Sequence, residues 1–65
     1  MTKQEAIKRM GLTKYDRDVI DVSNFDNPPN EVMRDIYIDG RGDEYVWLFG
    51  EFYRCENKGN GYRVL

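Results

Sequence analysis

The run Tyr45-Val46-Trp47-Leu48-Phe49-Gly50-Glu51-Phe52-Tyr53-Arg54-Cys55 constrains the fold more than any other stretch, because five of the nine aromatic residues stand in it. Extended backbone sends successive side chains to opposite faces, so Tyr45, Trp47 and Phe49 line one side and Val46 and Leu48 the other. Both sides are apolar. The rest of a small fold can roof one of them, and the second then becomes a candidate contact surface. Gly50 divides the run. A tight turn there gives strands over 44–49 and 51–56, and the alternative is a bulge in one long strand.

The neighbouring segments extend the sheet. Val32, Ile36 and Ile38 alternate with Met33, Asp35, Tyr37 and Asp39, which predicts a strand over 32–38 with a distinct inner face. Asp39-Gly40 marks a hairpin turn, with Gly42 allowing a longer loop, and Asn60-Gly61 repeats the signal with Lys58-Gly59 as a competing apex. A last strand follows over 62–65. Residues 12–25 are ambiguous. Tyr15, Val19 and Val22 stand at helical spacing, but the β-branched residues favour a strand preceded by a turn. Asp26-Asn27-Pro28-Pro29-Asn30 reads as a loop over 24–30, in which Asn27 can cap a single helical turn over 28–33.

At the start of the chain, Thr2 and Glu5 have capping-box spacing and Gly11 supplies a stop, with Ala6, Ile7 and Met10 forming an inward stripe. The expected architecture is a single α+β domain over 1–65: a short N-terminal helix packed on a four- or five-stranded antiparallel β-meander. In it the helix stripe meets Leu12, Ile20, Ile36, Ile38, Val46 and Leu48. If the sheet curls into a small barrel, the two faces exchange roles.

Sixty-five residues with 40% hydrophobic and 34% charged composition are too apolar for disorder, and no segment is long enough to span a membrane as a helix. A chain of this size buries only about 60% of its unfolded surface, so every bulky side chain counts. The single cysteine cannot form an internal bridge, which points to a reducing, cytoplasmic setting. Residues 1–15 carry Lys3, Lys8, Arg9 and Lys14 against Glu5. The middle of the chain is acidic, which disfavours phosphate backbones and suits a basic partner surface.

Catalytic and metal chemistry find little to build on. Without histidine, Cys55 lacks the usual base that makes a thiolate, and zinc lacks a ligand set. Asp39, Asp43 and Glu44 do not follow the EF-hand order for calcium. Arg41-Gly42-Asp43 matches the integrin-recognition tripeptide, but turn geometry and edge charge explain the same residues. Ile7 to Thr13 has the outline of a helix-turn-helix start, yet Asp16, Asp18 and Asp21 in the following segment would face phosphates.

The expectation is therefore a non-enzymatic protein without metal, cofactor or membrane association. It is a small regulator or inhibitor of the size and composition found among accessory proteins of phages and mobile elements. It would dock on a protein partner, or on a second copy of itself, through Tyr37, Tyr45, Trp47 and Phe49, rimmed by Asp35, Asp39, Asp43 and Glu44. The alternative is single-stranded nucleic-acid binding, with bases stacked on Tyr45, Trp47 and Phe52 and phosphates near Arg54, Lys58 and Arg63.

Overall fold

The structure, a computed structural model, describes residues 1–23 and 30–65. Helix α1 (Lys3–Met10) is followed by strands β1 (Thr13–Asp21), β2 (Glu31–Ile38), β3 (Glu44–Leu48), β4 (Glu51–Asn57) and β5 (Tyr62–Val64). The five strands pair in chain order and close into a barrel.

The helix begins where its caps dictate. The Thr2 hydroxyl accepts from the Glu5 amide, and the Glu5 carboxylate accepts from the Thr2 amide, both at 3.2 Å. Gly11 ends it in the left-handed conformation at φ 66°, which a residue without Cβ adopts without penalty. The ambiguous 12–25 segment resolves as a strand through Asp21. Alternation of aspartates with Val19 and Ile20 suits a strand whose N-terminal half is exposed, and a bulge at Tyr15 bends it.

Two turns are set by local chemistry. Phe49 and Gly50 both take positive φ, 50° and 84°, the geometry that matches strand twist in a two-residue hairpin, and Leu48 then faces Glu51. Between β2 and β3 the longer loop prevails. The Asp39 carbonyl accepts from Gly42, its carboxylate accepts from the amides of Arg41 and Asp43, and Gly42 takes φ 88°. The expected loop over 24–30 lies almost entirely outside the described residues. A helical turn reaching Met33 is not formed, because Glu31 to Met33 already pair with β1 as the first residues of β2.

Antiparallel pairing holds for four of the five strand pairs, and the closing pair departs from it. A meander with an odd number of strands brings its first and last strands together pointing the same way, so β1 and β5 pair in parallel through Ile20–Tyr62 and Asp21–Arg63. Gly61 makes this possible: a Cβ on it would lie 2.7 Å from the Val19 carbonyl oxygen.

The sheet curls into a barrel, but the two faces do not exchange roles as expected on closure. The Val46 and Leu48 side, inner in an open sheet, is also the barrel interior, because the smaller aliphatic side chains fit the enclosed space and the aromatic rings of β3 stay outside. Ile20, Val22, Ile36, Val46, Leu48, Cys55, Tyr62 and Val64 fill the barrel interior, with Val32 and Tyr53 packed against them. The helix does not cover this set, contrary to the expected packing of Ala6, Ile7 and Met10 on Ile20, Ile36, Ile38, Val46 and Leu48. It lies on the opposite, aromatic side of the sheet. Met1, Ala6 and Met10 share a groove with Trp47 and Phe52, and the Lys3 ammonium stands 5.2 Å from the centre of the Tyr37 ring. The barrel interior is filled from the strands themselves, so the helix seals the outside.

Candidate interaction site

Alternation along β2, β3 and β4 puts Tyr37, Tyr45, Trp47 and Phe52 on the outer surface of the barrel, since their neighbours Ile36, Val46 and Cys55 point inward. Phe52 sits at the centre of the aromatic group. Its ring meets Tyr37 edge-on at 5.4 Å and Trp47 edge-on at 4.9 Å, both near the favoured T-shaped geometry. The helix covers part of this cluster. Tyr37, expected on an open face, is only 7% exposed, and Trp47 and Phe52 are half-buried.

What remains open is a groove of about 400 Å³ between α1 and the β3–β4 hairpin, lined by Met1, Ala6, Met10, Trp47, Gly50, Glu51 and Phe52. Met1 is 71% exposed and Met10 40%, and Phe49 at the adjoining hairpin tip is 62% exposed. Of the four aromatic residues expected to bind, Trp47 lines the groove and Phe49 stands beside it. Tyr37 and Tyr45 do not contribute. Tyr45 is half-buried and its hydroxyl donates to Asp39 at 3.1 Å. Burial, and then the Asp39 carboxylate, push that phenol above its ordinary value.

The acidic residues expected to rim the site are engaged within the chain. Asp35 accepts from Arg17 at 2.9 Å and lies 3.6 Å from Lys14, and the Arg17 hydrogen bond holds its carboxyl below the usual value. For Asp39, burial raises the carboxyl, but the amides of Asp43 and Arg41 and the Tyr45 hydroxyl outweigh it and hold the group low. Asp43 pairs with Arg54 at 3.2 Å, a contact that turns the Arg-Gly-Asp aspartate towards its own sheet. Glu44 faces the barrel, opposite Cys55, and accepts from the buried Tyr62 hydroxyl. These carboxylates have partners already, so the rim offers little unmet charge to a basic surface.

The cations that a nucleic-acid reading needs are likewise committed. Arg54 pairs with Asp43, Lys58 with Asp21 and Glu31, and Arg63 with Glu56. At Cys55 burial pushes the thiol up to about 12, helped by Glu44, so the group is a protonated core side chain at neutral pH. Among the described residues no group of three metal-ligating side chains converges, and no helix is long and apolar enough to cross a membrane.

Sequence reasoning placed Met10 in the core and Phe52 only in the nucleic-acid alternative. A signal for both was present. Met10 stands at the last turn of a short helix, where one flank is open, and Phe52 directly faces Trp47 once the turn is set at Gly50. Comparison with protein-family models, with curated proteins and with solved structures finds no match to this chain.

Proposed function

We propose that the chain is a non-enzymatic interaction protein that docks a protein partner in the groove between α1 and the β3–β4 hairpin, with a regulatory or inhibitory role in the cytoplasm. One observation carries the reading. The groove gathers Met1, Met10, Trp47 and Phe52 around an open apolar floor, beside the exposed Phe49 and next to a Tyr37 that is covered. Aromatic anchors supply the contact area that dominates binding hot spots, and flexible methionine walls adapt to the shape of a partner. The contact surface is narrower than the four-residue aromatic face expected from alternation, and it includes the helix. Base stacking draws less support, since Trp47 and Phe52 present edges to one another and the three cations expected beside them, Arg54, Lys58 and Arg63, are ion-paired.

Met10→Glu tests the reading without disturbing the core, since Met10 is exposed. A protein captured by wild type and lost with Met10→Glu at unchanged melting temperature supports it. Equal capture by the two forms sinks it.

A further inference from the structure

The barrel wall is closed over only part of β1. This strand pairs with β2 from Thr13–Ile38 to Asp21–Glu31, but with β5 only through Ile20 and Asp21. From Thr13 to Asp18 its second edge has no strand beside it among the described residues, a length of about 20 Å at roughly 3.3 Å per residue. Thr13 to Arg17 are exposed. An open edge of this kind is a template on which another strand can add.

The amides that would donate to an added strand are already engaged. Val19 turns its carbonyl towards Gly61 on the β5 side, and Arg17, two residues back, faces the same way. The Arg17 amide donates to the Asp16 carboxylate at 2.8 Å, and the Val19 amide donates to the Asp18 carboxylate at 2.7 Å. Each aspartate thus gives the next amide a charge-assisted bond in place of a ladder bond. The carboxylates bond the amides although two arginines stand close by in the sheet. Arg17 is turned to Asp35 at 2.9 Å, and Arg34, opposite Asp18 on β2, donates to the Met33 carbonyl. The bulge at Tyr15 interrupts the same edge just before Asp16.

We infer that Asp16 and Asp18 form a built-in block against strand addition at β1, and that the addition they prevent is antiparallel pairing of β1 with β1 of a second copy of this chain. The charge pattern opposes self-pairing in particular. In a two-fold pair, residues whose amides face outward lie opposite one another, so the aspartates between them meet aspartates. A pair centred on Arg17 sets Asp16 opposite Asp18, and a pair centred on Asp18 sets that residue opposite itself. Like charges directly opposite destabilise such a pair. The same two side chains therefore cap the amides and repel the copy. The block lies on β1, away from the groove between α1 and the β3–β4 hairpin, and does not rest on the function proposed for that groove.

Size-exclusion chromatography with light scattering on the full chain, at sub-millimolar concentration, tests the block. Wild type should run as a monomer. The double variant Asp16→Ala, Asp18→Ala frees both amides and removes both charges, and should self-associate roughly tenfold or more strongly. Hydrogen exchange locates the contact, since the Arg17 and Val19 amides of this variant should gain protection as its concentration rises. The variant Asp16→Asn, Asp18→Asn keeps an accepting oxygen at each position without the charge, and should associate less than the alanine variant. Equal association of the two would assign the block to charge alone and overturn the role of the capped amides. An alanine variant that stays monomeric, or one whose association leaves Arg17 and Val19 unprotected, would overturn the inference, as would a wild type that already pairs through these amides. If the double variant does not fold, Asp16→Ala and Asp18→Ala singly carry the same test, each opening one amide.

Discussion

Replacing Gly61 by alanine tests the account of barrel closure at a single atom. Two costs arise there. Gly61 has φ 90°, where an L side chain is strained by about 1–2 kcal/mol. The new Cβ would also stand 2.7 Å from the Val19 carbonyl oxygen, which is backbone and cannot rotate away. Overpacking of that kind typically costs a further 1–3 kcal/mol, roughly, as the β1–β5 pair is pushed apart. Gly59 provides the control. It has φ 96° but nothing within 4 Å of its added Cβ, so Gly59→Ala carries the strain alone, partly offset by about 0.4–1 kcal/mol from a stiffer unfolded chain. Gly61→Ala should therefore be less stable than Gly59→Ala by about 2 kcal/mol. A chain of this length has a total stability of roughly 3–10 kcal/mol, so the difference is large. Urea titration followed by Trp47 fluorescence and far-ultraviolet dichroism measures it, and with a slope near 1–2 kcal/mol/M the midpoints should separate by about 1–2 M. Midpoints that agree within error would refute the claim that Gly61 is required by the approach of β1.

Further outcomes follow from the interior and from the aromatic cluster. The Cys55 and Tyr62 protons are held up to about 12 by burial, against ordinary values of 9.0 and 10.0. The stability linked to them is thus fully present below pH 9 and is lost as pH rises towards 12. At pH 11 the loss is about 3 kcal/mol from the thiol and about 1 kcal/mol from the phenol. Cys55→Ala should flatten most of this alkaline limb in pH-dependent denaturation, and an unchanged limb would contradict the assignment. Trp47→Ala should cost about 2–3 kcal/mol, because the ring packs edge-on against Phe52 beneath the helix. Thermal melts check this, and a variant as stable as wild type would mean that the indole is free of the fold. Met10→Glu, by contrast, should leave the melting temperature within a degree or two while abolishing partner capture.

What the sequence makes legible here is what neighbouring residues decide. Thr2, Glu5 and Gly11 define the helix, and Gly50 defines a hairpin whose strands fall within a residue of their expected ends. Closure is a different matter. The pairing of Ile20 with Tyr62 joins distant parts of the chain through a three-residue strand that is expected from its turn signal, but whose sequence does not reveal that its second neighbour is β1. Without that pairing, the two apolar faces of β3 are equivalent in pattern: Val46 and Leu48 fit a helix-covered sheet as well as a barrel interior. The helix was therefore expected on the wrong side, and Tyr37 was expected to be open when Lys3 and the helix cover it. The site was legible in part for the same reason. Trp47 and Phe49 follow from the aromatic run, while Met10 becomes a groove wall only once α1 lies outside the barrel. The acidic rim looked available because Asp43 and Arg54 are far apart in sequence, although the register that pairs Tyr45 with Arg54 brings them together.

The parallel seam between β1 and β5 also orders events in time. Leu48 and Glu51 meet across a two-residue turn, whereas Ile20 and Tyr62 must find each other across roughly 40 residues, and the entropy of closing a loop grows with its length. Hairpins β2–β3 and β3–β4 have the shorter loops to close and are expected to form before the seam, which is then the last pairing made. Defects at the seam, Gly61→Ala among them, should act chiefly by hastening unfolding rather than by slowing folding. The lifetime of the native barrel is then governed at the narrow contact between Val19 and Gly61, far from the groove that would hold a partner.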